Sequence, residues 1–494
     1  MIGGRTPAVS AFSTERSGLL REAVPAALVG LASLGGYLFT LAPTVASNDA
    51  GRFQVAAPLL GTGHPTGYPT FILAGKLFTS LPVGDVAYRV NLMAAVFGAA
   101  AVVLLFLVAR GLGAGRAPAA GAALLFAFSG TFWSQATLGE VYTMHAFFVL
   151  LVTLLLLRWR RRGGFAGVVA AALIYGLSFG NNAGVVLFGL MFAVLLLFGG
   201  QGRVTLRVLV SGAAAFLVGL SVYAYLPIRG FAGAWHNFGD PVNNWTDVWN
   251  LASGARFQGL MDPSPGSVFG EIRVFLAEVF SQAPAPFGYA LPVLVAFGAV
   301  FGLVRLVVRG EAAVAVAVGA GLVIPLFYAL SYGIDDVAVY YLPVYLVAAL
   351  LFAVGITGAA GLLGAAGGGI AFAPLLLGAL LLGLNFAPSD RSEDYEEREL
   401  SEKTLASLPD DAILYGKVQI VPMAYLIEIE GERPDVVLRW LDGRTLDENF
   451  ERDVASGRAV YFISDESYTG EYLPAAEEIA TSSREGDLIS FTPR

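Results

Sequence analysis

Two carboxylates are the residues of this chain best placed for chemistry, Asp49 and Glu140, with His64 following the first of them. Asp49 stands in SNDAGRFQVAAPLLGTGHPTGYP, Ser47 to Pro69, directly after an apolar run. At the mouth of such a run an unpaired carboxylate is costly, so it is normally paired or functional. Two acids on one side can divide the work on a hydroxyl nucleophile, one accepting its proton and the other orienting it. Structural uses compete with this reading. Asn48 or Asp49 can cap a short helix from Ala50 to Leu60, and Arg52 can pair with Asp49 one turn on. Glu140, in GEVYTMH, can complement the dipole of a helix over 141–157, an effect of ~0.3–1 kcal/mol. In HPTGYP the prolines and glycine around His64 and Tyr68 set a rigid turn.

Other polar residues gather on the same side. Arg89 and Arg229, the latter in YLPIRG, suit an anionic headgroup because a guanidinium fork matches phosphate oxygens. Snorkelling to the interface is the alternative use. Asn181 and Asn182 either donate hydrogen bonds to a substrate or cap a helix over 183–199. Tyr142, beside Glu140, and Asp240, in NFGDP, complete the substrate-contact candidates.

The elements that must hold these groups are membrane helices. Of the 494 residues 56% are apolar and 14% charged, against about 25% charged in soluble domains. Apolar runs near 23–43, 87–109, 118–136, 141–157, 165–180, 183–199, 204–227, 288–308, 312–331, 338–357 and 361–386 predict about eleven transmembrane helices. The shorter apolar piece 69–81 predicts a re-entrant or interfacial helix. The first run, followed by the small residues Ala46 and Ser47, has the look of a signal peptide. It is read as a retained span because the Asp49 motif needs that helix beside it.

Arginine placement orients the chain. With a cytoplasmic N-terminus, Arg5, Arg16, Arg21, Arg110, Arg116, Arg158, Arg160–Arg162, Arg203, Arg207, Arg305 and Arg309 all face the cytoplasm. The opposite side then receives Asp49, Asp85, Glu140, Asp240, Asp247, Asp262, Asp335 and Asp336, on long outer loops 44–86 and 229–287 and on tight turns. A catalytic membrane domain over 1–387 carries a net charge of +6, and residues 388–494 carry −14. That tail reads as a small soluble α/β domain on the non-cytoplasmic side, with β-type runs at 412–415, 436–441, 459–463 and 488–491 and helical patterns at 392–405 and 419–430.

Several classes are excluded or weakened. There is no cysteine, so no disulfide, thiolate metal site or cysteine nucleophile. No basic stripe with interleaved aromatics points to nucleic acid. No span carries a charge at its centre and no internal repeat is visible, which weighs against an ion-coupled or inverted-repeat transporter. Polar groups at one face favour chemistry at the membrane surface. A glycolipid-binding protein without activity and a polyprenyl-linked glycan transporter are the alternatives.

The chain resembles the bacterial membrane family related to protein O-mannosyltransferases, within the GT-C glycosyltransferases. The resemblance rests on NDAGRFQ with HPTGYP, AYRVNL at 87–92, FSGTFWSQATLGEVY at 128–142 and GLSFGNN at 176–182. It continues in YLPIRG at 225–230, NFGDP at 237–241, YYLPVYL at 340–346 and EGERPDV at 430–436. It implies an inverting enzyme of the bacterial inner membrane that takes a mannose-like sugar from a polyprenyl-phosphate carrier on the non-cytoplasmic face. The acceptor implied is a hydroxyl of an exported protein or surface glycan. By the same resemblance Asp49 is the catalytic base, Glu140 lies close to it, and His64, Tyr68, Arg89 and Arg229 line donor or acceptor contacts. Arg89 or Arg229 would hold the carrier phosphate as leaving group. The lipid-linked sugar is a substrate and no cofactor is required; a divalent metal has no clear oxygen cage among these acids.

Overall fold

The structure is a computed structural model that describes residues 8–198, 200–237, 241–285, 287–334, 336–441, 446–464 and 466–493. Helix α1 (Ala8–Phe39) enters an extended segment and is followed by two short helices, α2 (Asn48–Leu59) and α3 (Pro69–Phe78). A bundle follows: α4 (Val86–Gly111), α5 (Arg116–Ala127), α6 (Gly130–Ala136), α7 (Tyr142–Arg162), α8 (Phe165–Phe179), α9 (Gly189–Leu197) and α10 (Leu206–Leu220). A long loop carries α11 (Tyr225–Gly230), α12 (Trp245–Ser253) and α13 (Pro265–Ser281). The bundle closes with α14 (Phe287–Val308), α15 (Ala312–Leu330), α16 (Leu342–Leu362) and α17 (Gly367–Ser389).

The protein is a multi-pass membrane protein. Among the described residues, 8 helices are long and apolar enough to cross a bilayer. Against the eleven predicted spans, the remaining three are the segments that do not run as one long α-helix. The run over 118–136 breaks at Phe128–Ser129 between α5 and α6, α8 has 15 residues, and the segment before α9 opens as a 3-10 turn over Ala183–Phe188. The apolar pattern alone does not register these breaks, because it measures hydrophobicity and not backbone hydrogen bonding. The piece predicted to be re-entrant is α3, a 10-residue helix.

Small residues let the helices approach. A Cβ added to Gly302 of α14 would run into the Leu351 carbonyl of α16, and one on Gly355 into the Gly298 carbonyl. This is the close backbone packing that membrane helices use in place of hydrophobic segregation. The outward face of α14 presents Phe297, Val300, Val304 and Val308, all exposed, as expected of a stripe that meets lipid. Trp245 and Trp249 of α12 are also exposed, the usual position of interfacial tryptophans.

The ends of the bundle differ in charge. At one end Glu22 pairs with Arg110 and Arg116, and Arg160 lies 3.7 Å from Glu311. At the other end Asp85 caps α4 by accepting from the Tyr88 amide, 2.7 Å, and Glu140 stands one residue before the Val141 N-cap of α7.

The tail begins with α18 (Glu396–Ser407) and builds a five-stranded sheet from β1 (Ile413–Gly416), β2 (Val437–Trp440), β3 (Val460–Ile463), β4 (Ala480–Glu485) and β5 (Leu488–Pro493). The order is β2-β1-β3-β5-β4, with β1 parallel to β2 and β3, and β5 antiparallel to β3 and β4. Helices α19 (Ile420–Tyr425), α20 (Leu446–Ala455) and α21 (Glu466–Ile479) connect the strands. The four predicted strands are present. The fifth, β4, reads ATSSRE and lacks the apolar alternation by which a strand is recognised; its pairing with β5 creates it.

Candidate active site

The site starts from how α1 leaves the membrane. Trp133 Nε1 donates to Thr40 Oγ1, 2.8 Å, and Tyr37 Oη donates to the Ala127 carbonyl, 2.9 Å, fixing the end of α1 against α5 and α6. The chain then runs extended, and Asn91 of α4 donates to the carbonyls of Ala42 and Thr44. Gln54 of α2 closes the arrangement: its Nε2 donates to Asn91 Oδ1, 2.8 Å, and its Oε1 accepts from the Ala46 amide, 2.9 Å. All of Gln54 and Asn91 is buried. These paired amides set the start of α2, and with it Asp49, on a fully bonded polar support.

Asp49 lies in the first turn of α2 and does not cap it, as Ser47 is the N-cap residue. Its carboxylate instead reaches Arg52 Nη1 at 3.2 Å and His64 Nε2 at 3.1 Å. His64 Nδ1 is 3.0 Å from the Pro65 carbonyl, so acceptors stand at both ring nitrogens. The ring faces are held by Phe53 and Tyr68, at centroid distances of 5.3 and 4.7 Å. Arg52 is held in turn under the Trp440 ring of β2, 5.1 Å from its centroid, a cation–π contact contributed by the tail.

Glu140 and Asp336 join Asp49 around a cavity of about 600 Å³. Its lining also includes Tyr142, Arg391 and the tail carboxylates Asp394, Glu396 and Glu397. The Asp49 side chain remains 46% exposed to this space. Among the described residues no group of three or more His, Asp or Glu is arranged to hold a metal.

The acids have opposite tendencies. Burial disfavours the Asp49 charge, but His64 and Arg52 outweigh it and hold the carboxyl well below the usual carboxylate range. Burial pushes Glu140 well up, and the charges of Asp49 and Asp336 add to this; hydrogen bonds from the Val141 and Ala50 amides oppose it only in part. Asp336 is raised to about 6 by burial and by Asp49 and Glu278. The two carboxyls are thus pushed apart, Asp49 toward its ionised form and Glu140 toward its protonated form, the separation that marks base and proton-bearing partner.

The remaining predicted residues are placed as follows. Tyr142 lines the cavity, and Tyr68 packs on His64 and on Phe53, 5.1 Å away. Asn181 is buried and donates to the Val141 carbonyl, 3.2 Å, supporting the turn that carries Glu140. Asn182 accepts from the Gly184 amide, 2.8 Å, as the cap of the following 3-10 turn. Arg229 donates to the Leu60 and Leu59 carbonyls at 2.8 and 3.2 Å, closing the C-terminal end of α2. Arg89 donates to the carbonyls of Val83, Thr79 and Gly84, tying down the loop after α3. Neither arginine is part of the cavity lining. Asp240 lies outside the described residues.

Sequence reasoning grouped Asp336 on the same side as Asp49 without assigning it to the site, and it missed Arg391 and the tail carboxylates. Asp336 sits far along the chain in a tight turn with no motif of its own. Only folding carries the start of the tail back over α2. Arg398 is the clamp for that return. It pairs with Glu430 at 2.5 Å and Glu402 at 2.7 Å, donates to Thr44 Oγ1 at 3.2 Å, and lies 3.7 Å from Asp85. The Ala87 amide donates to Tyr425 Oη, 3.1 Å, at the same junction.

Residues 49–205, which carry Asp49, His64 and Glu140, match the family model described as the protein O-mannosyl-transferase TMEM260 N-terminal domain. The chain is similar to protein O-mannosyl-transferase TMEM260 of Mus musculus, 35% identical over 237 residues, 46% of this chain and 33% of the relative. The corresponding protein of Dictyostelium discoideum is 30% identical over 122 residues, 24% of this chain and 15% of the relative. The match thus spans about a third of the length of the mouse relative. Among solved structures, ArnT from Cupriavidus metallidurans bound to undecaprenyl phosphate aligns with a TM-score of 0.59 at 13% identity, covering 96% of this chain and 98% of that one. The Archaeoglobus fulgidus oligosaccharyltransferase in the apo form aligns with a TM-score of 0.54 at 13% identity, covering 96% and 74%. The chain shares the fold of these two proteins.

Proposed function

We propose that this chain is an inverting glycosyltransferase that moves a mannose-like sugar from a polyprenyl-phosphate carrier to a hydroxyl of an exported protein or surface glycan. The observation that carries this reading is Asp49, held by His64 and Arg52, in the lining of a polar cavity at the acidic end of a GT-C bundle. That the O-mannosyl-transferase family model matches the stretch containing Asp49 and Glu140 supports it. Arginines concentrated at the opposite end support a non-cytoplasmic position for the cavity and a cytoplasmic N-terminus.

In this mechanism the acceptor hydroxyl enters the cavity and gives its proton to Asp49 as its oxygen attacks the anomeric carbon. His64 and Arg52 keep Asp49 ionised and aimed. Glu140, whose protonated form is favoured by burial, faces the same cavity. The bond to the carrier phosphate breaks as the new glycosidic bond forms, and the phosphate leaves as an anion. Arg89 and Arg229 lie outside the cavity lining, so the role of phosphate partner passes to Arg391, which lines the cavity 3.5 Å from Asp394.

The polyprenyl tail has a matching surface. An apolar groove of about 470 Å³ runs between α5, α13, α14, α15, α16 and α17, with Ser129 and Gln282 among its few polar lining residues. Those two belong to the same end of the bundle as Glu140, since α5 and α13 both finish there. An isoprenoid chain in this groove would bring its phosphate toward the cavity.

The test is transfer from radiolabelled polyprenyl-phosphate mannose to membrane-protein acceptors by purified wild type and Asp49→Asn. Transfer by wild type that falls by about 10²–10⁴-fold in the variant, the usual range for a lost base, supports the assignment. Equal transfer by both removes Asp49 from the role. A wild type that binds the carrier and transfers nothing to any hydroxyl acceptor overturns the enzymatic reading in favour of a glycolipid-binding protein.

A further inference from the structure

At the arginine-rich end of the bundle a second polar cavity, of about 410 Å³, is formed where α4 and α7 end and α15 begins. Helix α7 has 21 residues, so this cavity lies roughly 30 Å from the Asp49 site. Its lining includes Arg160, Arg161 and Arg309, with Glu311 as its single carboxylate. Three guanidinium groups and one carboxylate leave a net charge of +2.

Positive charge at the cytoplasmic end of a membrane protein is ordinary, and scattered arginines there make no site. Here they converge from two elements. Arg160 and Arg161 close α7, and Arg309 follows α14. Arg160 donates to the Phe198 carbonyl; Arg161 gives Nη2 to the Gly111 carbonyl and Arg309 gives Nη1 to the Gly113 carbonyl at 3.5 Å, whereas Arg89 commits Nε and both Nη nitrogens to carbonyls and Arg229 commits Nε and Nη2. The Arg160 side chain is only 6% exposed and lies 3.7 Å from Glu311, so it forms the buried floor of the cavity. Gly113 has φ +88, and a Cβ there would lie 2.7 Å from Arg309 Nη1. The glycine therefore leaves the space that the guanidinium occupies.

The other lining residues are Leu112, Leu157, Leu306 and Val314. An apolar wall beneath a ring of guanidinium groups matches an amphiphile with an anionic head. Glu311, 54% exposed and 3.7 Å from Arg160, is the group such a head would displace from Arg160.

We infer that this cavity binds a phosphate-bearing anion, with the headgroup oxygens on Arg161 and Arg309 and an acyl chain along the leucine wall when the source is a lipid. The inference is independent of the transfer reaction and of the Asp49 cavity.

The experiment uses the full chain in phosphatidylcholine nanodiscs. Binding of phosphatidylglycerol is followed by native mass spectrometry and by the shift in thermal unfolding, with inorganic phosphate in a parallel arm. Three proteins are compared: wild type, R161A/R309A, and R158A/R162A, which loses the same charge outside the cavity lining. Retention of phosphatidylglycerol weakened about tenfold or more in R161A/R309A and unchanged in R158A/R162A supports a lipid headgroup site. The same pattern with inorganic phosphate alone assigns a free anion. Equal binding by all three proteins, or equal loss in both double variants, overturns the site.

Discussion

Asp49 Oδ2 lies 3.1 Å from His64 Nε2 although one residue opens α2 and the other sits in the loop beyond its far end. The contact turns a carboxylate available for helix capping into one that is held ionised and pointed at a cavity. It also makes His64 a positioning residue, because its other nitrogen faces the Pro65 carbonyl.

Removing His64 should therefore change the pH dependence before it changes anything else. In wild type Asp49 stays charged below the ordinary carboxylate range. In His64→Ala its pKa rises, so transfer at acidic pH falls further relative to neutral pH than in wild type. For each unit the pKa moves, the acidic limb of kcat/KM moves up by one pH unit. An unmoved acidic limb would detach His64 from Asp49.

Glu140 should tolerate an uncharged replacement. Burial and the neighbouring charges of Asp49 and Asp336 favour its protonated form, so Glu140→Gln preserves a neutral hydrogen-bonding group and Glu140→Ala does not. The glutamine variant should keep at least tenfold more activity than the alanine variant, within the 10²–10⁴-fold usual for proton-transfer groups. Wild-type activity should also fall as pH rises through the raised Glu140 pKa, and that basic limb should be missing in Glu140→Gln.

Asp336 should tune that limb. Its own pKa is raised to about 6, so it is neutral below that value and adds negative charge above it. Asp336→Asn removes a charge that makes ionisation of Glu140 harder; the basic limb should move to lower pH. The sign for stability follows from the same shift. A carboxyl that binds its proton more tightly when folded favours the fold at low pH, and this stabilisation is lost as pH rises from the ordinary carboxylate range through about 6. Thermal unfolding of Asp336→Asn should be flatter than that of wild type across this window.

The arginines should separate into two classes. Arg391→Ala should raise the KM for the lipid-linked donor by about tenfold or more, as expected for losing a charge-assisted phosphate contact. Arg229→Ala removes two hydrogen bonds to the end of α2 and should lower stability, by about 1.5–3 kcal/mol for a charged group's bond. Its donor KM should change less than that of Arg391→Ala. The reverse ranking of KM effects would return the phosphate role to Arg229.

Arg398→Ala should loosen the tail from the outer loop, because this residue joins Glu430 and Glu402 of the tail to Thr44 and Asp85. Limited proteolysis between residues 388 and 396 should speed up, with transfer reduced through the loss of Arg391 placement.

The sequence by itself determined the membrane class, the helical periodicity of the bundle, the charge difference between its two ends and the four apolar strands of the tail. These follow from local composition, since a run of apolar residues has few alternatives in a bilayer. It also singled out Asp49, Glu140 and His64 as candidates, because their residue types are expensive or chemically distinctive where they stand. The tertiary structure alone decided which polar groups face the cavity. Arg89 and Arg229 look like anion binders in the sequence, yet unsatisfied carbonyls at the ends of helices and loops claim them. Asp336 and Arg391 look unremarked in the sequence, yet packing of α16 and return of the tail bring them beside Asp49. Local pattern records what a residue can do; which partner reaches it first is set by contacts between segments hundreds of residues apart.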